Sequence, residues 1–189
     1  WADPSEEVTV QLAGQTCTAR AGTDGKWSVR LALLAAGGPH TLAVRGKNAI
    51  QIEDVLVGEV WLCSGQSNMA MAVSSSANFP EEKAAALHPQ IRMFTVTRAA
   101  AESPQERCEG DWQVCSPDTV GSFSATAYFF GREVQRELRV PLGLINSSWG
   151  GTPVQAWTSV AAHAAVPQLA PVVKEWQERI AAYDPEASR

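Results

Sequence analysis

Histidine is scarce in this chain, with three in 189 residues, so chemistry that needs an imidazole has few candidates. Basic clusters are absent too. Fifteen Lys and Arg stand against twenty Asp and Glu, a net charge of −5, and no cationic stripe follows the chain; this excludes a nucleic-acid partner. No apolar run approaches the roughly 20 residues that cross a bilayer, so no membrane partner is expected. There is no Cys-x-x-C pair and no His/Cys cluster, so no zinc centre or other metal site is expected. The four cysteines are Cys17, Cys63, Cys108 and Cys115. Cys63 lies in an apolar run and reads as a buried, inert thiol. Cys108 and Cys115 share a polar loop at a spacing that a disulfide can close. No signal peptide is evident, and the chain opens on Trp1 without an initiator methionine, which leaves the compartment open.

What is present is an ordinary globular composition, 45% hydrophobic and 19% charged, at a length that forms one or two domains. Residues 1–54 read as short strands in a small β-sandwich-like segment. Val8–Leu12 and Thr16–Ala19 alternate, and Asp24-Gly25 signals a hairpin into Lys26–Leu31. Gly37-Gly38-Pro39 then turns the chain into His40–Val44. From residue 55 to 189 strands alternate with helices, the mark of an α/β layer architecture. Val55–Cys63, Ile91–Val96 and Pro141–Trp149 read as buried strands, and Ala101–Val120 as a loop. A helix capped by Ser122 or Ser124 runs to Leu138, with Ala127, Phe130, Val134 and Leu138 at helical spacing. A last helix puts Leu169, Val172, Val173, Trp176, Ile180 and Tyr183 on one face and ends near Asp184-Pro185.

Two of these strands stop in turns rich in glycine and serine, Ser64–Asn68 and Ser147–Thr152. Sites in open parallel sheets form beyond the carboxyl ends of strands, so both turns fall on one edge. Ser67 there has the surroundings of an acyl-transfer nucleophile. Its own N–H and that of Gly150 or Gly151 are positioned to hold an oxyanion, since glycine lets backbone approach a substrate closely. Ser67 as a simple helix N-cap fits the same pattern. The turn lacks the second glycine of the G-x-S-x-G elbow, so it does not read as an α/β-hydrolase.

The block Gly58-Glu59-Val60-Trp61-Leu62-Cys63-Ser64-Gly65-Gln66-Ser67-Asn68-Met69 resembles the nucleophile block of the sialate O-acetylesterases. These belong to the SGNH (GDSL-like) hydrolases, as do acetylxylan esterases. Gly110–Pro117, Phe123–Gly131 and Pro141–Trp157 resemble later blocks of the family in the same order. Trp1-Ala2-Asp3-Pro4 and Gly25–Val29 resemble the β-rich segment that precedes its hydrolase domain. The resemblance implies an SGNH-hydrolase (flavodoxin-like) αβα fold, incomplete on its C-terminal side. It implies Ser67 as nucleophile and Gly150-Gly151 as the oxyanion turn, with no organic cofactor. Gln66 and Asn68 either shape the turn through local backbone bonds or touch substrate. Trp149 and Trp157 either wall a sugar site or, as the favoured reading, are buried between helix and sheet. A secreted or periplasmic location is the one the resemblance favours.

A nucleophilic serine needs a base and a group orienting that base. The family takes its histidine from a motif far downstream and a further oxyanion donor from a Trp-x-Gln-Gly-Glu block; neither occurs here. His40 sits in the β-rich segment, and His88 at a solvated helix terminus. His163, in an alanine-rich stretch after the glycine turn, is the nearest to the site in sequence but a poor candidate for the base. The chain therefore reads as the N-terminal fragment of a larger esterase, inactive alone, whose remaining C-terminal part carries the histidine. Its expected substrate is an acetylated sugar or glycan, with sialic acid O-acetyl esters ahead of acetylated xylan. A non-catalytic carbohydrate-binding fragment is the reading from another class. Asn146-Ser147-Ser148 is a glycosylation sequon, but its place beside the inferred site argues against modification.

Overall fold

The computed structural model describes residues 1–101 and 103–183. Alternating side chains in β1 (Glu7–Leu12) bury Val8, Val10 and Leu12 on one face. Gly14, at a φ of 79°, returns the chain as β2 (Gln15–Arg20). With β3 (Gly37–Arg45) and β4 (Ala49–Val57) these form an antiparallel sheet in the order β2-β1-β3-β4. The expected strand over Lys26–Leu31 does not form. Side chains of β2 occupy the backbone groups that a ladder there would use. Gln15 accepts from the Ala32 N–H at 2.8 Å and donates to its carbonyl at 3.3 Å, and the Cys17 thiol donates to the Arg30 carbonyl.

The apolar run Val55–Cys63 is not one buried strand. Val55–Val57 close β4, and β5 (Glu59–Gly65) opens a second sheet. Gly58 is the crossing point. Glu59 N–H donates to the Pro141 carbonyl at 3.0 Å, and a Cβ on Gly58 would stand 1.9 Å from that same oxygen. Nor is β5 buried, because it lies at a sheet edge with Val60 62% and Leu62 67% exposed; within it only Cys63 is fully covered.

Beyond β5 come α1 (Ser67–Ala70) and α2 (Phe79–Ala85), then β6 (His88–Thr95) and β7 (Trp112–Cys115). The long helix α3 (Ala125–Leu138) leads into β8 (Leu142–Ser148), followed by α4 (Val160–Ala164) and α5 (Ala170–Ala181). The sheet order is β5-β8-β6-β7, with β5 and β6 parallel to the central β8 and β7 antiparallel to β6. Strand β7 lies inside the stretch expected to be loop. His88 is the first residue of β6, half-buried beside the Tyr128 ring, and not a solvated helix end.

Helix α3 covers one face of this sheet. The Ser124 hydroxyl caps it, accepting from the Ala127 N–H at 3.1 Å. Gly131 lets the helix approach β8 closely; a Cβ there would stand 2.6 Å from Leu144 Cδ1. Ile91, Met93, Leu142 and Leu144 from the sheet pack against Ala127 and Tyr128 to form the main core. All four cysteines are free, so the Cys108–Cys115 pairing does not form; Cys115 is buried in this core while Cys108 is exposed. Helix α5 forms as expected, but Trp176, Ile180 and the following Tyr183 are exposed; its expected end near Asp184-Pro185 lies outside the described residues. Among the described residues no helix is long and apolar enough to cross a membrane.

Candidate active site

The carboxyl ends of β5 and β8 lie side by side, with Gly65 paired to Ser148. Past that pair the Trp149 N–H donates to the Gly65 carbonyl at 3.0 Å, so the two turns leave the sheet together. Gly65 has a φ of 144°, a conformation open to glycine, and it bends the chain from β5 into α1. Ser67 is the first residue of that helix and Gln66 its N-cap. The capping alternative for Ser67 is therefore not the one the backbone adopts. Its hydroxyl instead donates to Gln66 Oε1 in a short contact.

The end of α1 and the chain that follows it are stitched to the start of α3, which anchors the helix that Ser67 heads. Ala125 N–H donates to the Met71 carbonyl at 2.8 Å, Val73 N–H to the Phe123 carbonyl at 2.9 Å, and the Thr126 hydroxyl to the Asn68 carbonyl at 2.8 Å. Asn68 is thus held by its backbone, while Gln66 is tied to the serine by its side chain. Across from them, a Cβ built on Gly150 would lie 3.9 Å from Ser67 Cα, so no side chain separates the two turns. Gly151 has a φ of 80°, and its own ideal Cβ meets open space. Among the described residues the N–H groups of Gly150 and Gly151 bond no protein acceptor. The Ser67 N–H, heading a helix, has no intrahelical acceptor.

Trp149 and Trp157 are 40% and 38% exposed, which corrects the expectation that they are buried between helix and sheet. A hydroxyl relay keeps them at the turn: Trp157 Nε1 donates to Thr152 Oγ1 at 2.8 Å, and that hydroxyl donates to the Trp149 carbonyl at 2.7 Å. Asn146, the sequon asparagine, is buried and accepts from the Ser148 hydroxyl at 2.7 Å, out of reach of a modifying enzyme.

No histidine bonds Ser67 among the described residues. His40 lies in β3 of the first sheet. His88 opens β6 at the sheet edge opposite the turns, and burial, with the Arg132 guanidinium beside it, holds its imidazole below the usual range. His163 is buried in α4, its Nδ1 3.2 Å from the Ser159 carbonyl one turn back. Two residues not singled out in the sequence join the site, Thr126 and Arg98, and Thr152, the last residue of the expected turn, acquires a role there. Arg98 follows the carboxyl end of β6, a third strand end on the same edge, and its Nε donates to the Ser148 carbonyl at 3.1 Å. Its position was readable only from a strand ending three residues earlier.

Comparison with known proteins places these blocks in context. Residues 57–182 match the family model described as carbohydrate esterase, sialic acid-specific acetylesterase. The sialate O-acetylesterase of Homo sapiens is 35% identical over 176 residues, which is 82% of this chain and 34% of that protein. The Rattus norvegicus sialate O-acetylesterase is 35% identical over 152 residues, 73% of this chain and 28% of that protein. The chain thus spans about a third of the length of these curated relatives. The crystal structure of a carbohydrate acetylesterase from Xanthomonas citri superposes with a TM-score of 0.84 at 38% identity, covering 89% of this chain and 39% of that one. The α/β fold is accordingly SGNH-like.

Proposed function

The chain belongs to the sialic acid-specific acetylesterase family of carbohydrate esterases, and from that membership we propose that it carries the nucleophile side of a serine O-acetylesterase acting on acetylated sugars, sialic acids first among them. One observation carries the reading: Ser67 stands at the head of α1 against the bare Gly150 turn, with free N–H groups on both sides. The Ser67 hydroxyl attacks the acetyl carbonyl, and its proton passes to a base. The tetrahedral oxyanion is held by the Ser67 N–H together with that of Gly150 or Gly151. Collapse of the intermediate breaks the bond to the sugar oxygen, which leaves as an alcohol carrying the base's proton. Water then cleaves the acetyl-enzyme, releasing acetate and restoring the serine.

The base is not among the described histidines, none of which bonds the serine. We assign it to polypeptide outside the described residues that packs against this edge. Gln66 holds the hydroxyl in the meantime. The 189-residue chain alone is then expected to hydrolyse p-nitrophenyl acetate no faster than its Ser67→Ala variant. A polypeptide that supplies the histidine is expected to restore both hydrolysis and fluorophosphonate labelling, with mass spectrometry placing the label on Ser67. Robust hydrolysis by the chain alone that Ser67→Ala abolishes would sink the assignment of an outside base. Labelling of another serine would sink the nucleophile.

A further inference from the structure

We propose that Arg98 is the carboxylate-binding residue of this site and directs it toward sugar acids over neutral sugars, an inference that rests on the esterase reading above. Three strand ends meet on one edge. The chain leaving β6 continues alongside β8, with Val96 N–H donating to the Asn146 carbonyl at 2.9 Å and Arg98 Nε to the Ser148 carbonyl at 3.1 Å. Ser148 in turn pairs with Gly65, two residues before Ser67. Arg98 and Ser67 therefore flank the β8 terminus from opposite sides, about two strand spacings or ~10 Å apart.

The guanidinium is oriented, and among the described residues it meets no carboxylate. Its Nε is committed to a backbone carbonyl, which fixes the plane of the group and leaves the terminal nitrogens for another acceptor. Several arginines elsewhere in the chain are paired: Arg92 makes a two-pronged contact with Asp54, Arg132 joins Glu82, and Arg179 joins Glu175. Among the described residues no carboxylate pairs with Arg98. A fixed guanidinium whose Nη1/Nη2 edge stays open matches a carboxylate in geometry as well as charge. Trp149, the residue after Ser148, is 40% exposed and offers an aromatic face at the same strand end. A charged fork, an aromatic face and a nucleophile along one edge suit a substrate bearing a carboxylate and an ester on one sugar. A neutral acetylated sugar has no use for the fork.

Ligand-observed NMR titration of the 189-residue chain with N-acetylneuraminic acid and with its methyl ester tests the assignment without requiring turnover. The wild-type chain is expected to bind the free acid about tenfold or more tightly than the ester. The ratio is expected to fall close to one in Arg98→Gln, and to an intermediate value in Arg98→Lys, which keeps the charge but loses the fork. Thermal melts of both variants confirm that an exposed substitution has left the fold in place. An unchanged ratio in Arg98→Gln, or no preference in the wild type, would overturn the proposal. Failure of Ser67 labelling in the protein supplied with its histidine, with an intact acid preference, would overturn the esterase reading instead, so the two failures are separable.

Discussion

Adding a methyl group to Gly150 and to Gly151 tests two different things. Gly151 sits at a φ of 80°, where any Cβ is strained although the space around it is open, so Gly151→Ala is expected to cost about 1–2 kcal/mol of stability. At Gly150 the new Cβ would make ordinary contact, 3.9 Å from Ser67 Cα, in the space where an acyl carbon must approach. Gly150→Ala is expected to leave the thermal midpoint near wild type and to suppress Ser67 labelling in a protein supplied with its base. A midpoint that falls equally in both variants would show that the two glycines do the same conformational work. Cys115 offers a test by pH. Burial pushes its thiol up to about 11 from an ordinary value of 9.0, so the folded state keeps a proton that the unfolded chain gives up. The resulting stability is complete below pH 9 and is lost as pH rises toward 11. Denaturant melts are expected to weaken over that interval, with a shallower slope in Cys115→Ala. The adjacency of Ser67 and the Gly150–Gly151 turn was legible because both lie where apolar runs stop. Arg98 was not, because its place depends on the pairing of β6 with β8, and no local pattern records that pairing.

At the level of elements, Ser124 and Gly58 mark what the sequence told clearly and what it hid. Helix α3 announced itself by a serine cap and apolar residues at helical spacing, and the structure begins it at Ala125 as that cap requires. Ser124→Ala removes the acceptor of the Ala127 N–H from a fully buried position, and a loss of about 1–2 kcal/mol by urea melt is the expected cost. Gly58 was hidden inside a continuous apolar run. Hydropathy cannot distinguish one strand from two strands of different sheets joined at a glycine, and only the Pro141 carbonyl lying against Gly58 shows why the chain breaks there. Gly58→Ala forces a methyl against that oxygen at 1.9 Å and is expected to destabilise by about 3 kcal/mol. Strand β7 escaped notice for the opposite reason: its four residues pair with β6 inside a polar stretch too short to show alternation. The Lys26–Leu31 stretch alternated convincingly, but β2 meets it with side chains instead of a ladder.

For the molecule as a whole, the second sheet is covered unequally. Trp61 and Cys63 face α3, the tryptophan in edge-to-face contact with Phe130 at 5.0 Å, whereas Val60 and Leu62 face away. On that far side Val60 and the Trp112 ring lie over Gly143, and Trp112 is 53% exposed. Strand β5 is also an edge, its outer backbone groups unpaired among the described residues. An apolar face beside an open strand edge is the combination that drives chains to pair with one another. A net charge of −5 opposes this only weakly at physiological salt. The purified chain is expected to enhance the fluorescence of an apolar dye and to sediment with a mass that rises with concentration. Leu62→Lys places a charge on the exposed face of the edge strand. It is expected to lower the association while changing stability by no more than about 0.5 kcal/mol. Trp61→Ala, one residue earlier on the covered face, is expected to reduce stability without relieving association. A chain that stays monomeric at every concentration and leaves the dye dark would mean that this face is covered in solution. Equal behaviour of the two variants would mean that the sidedness of β5 does not govern association.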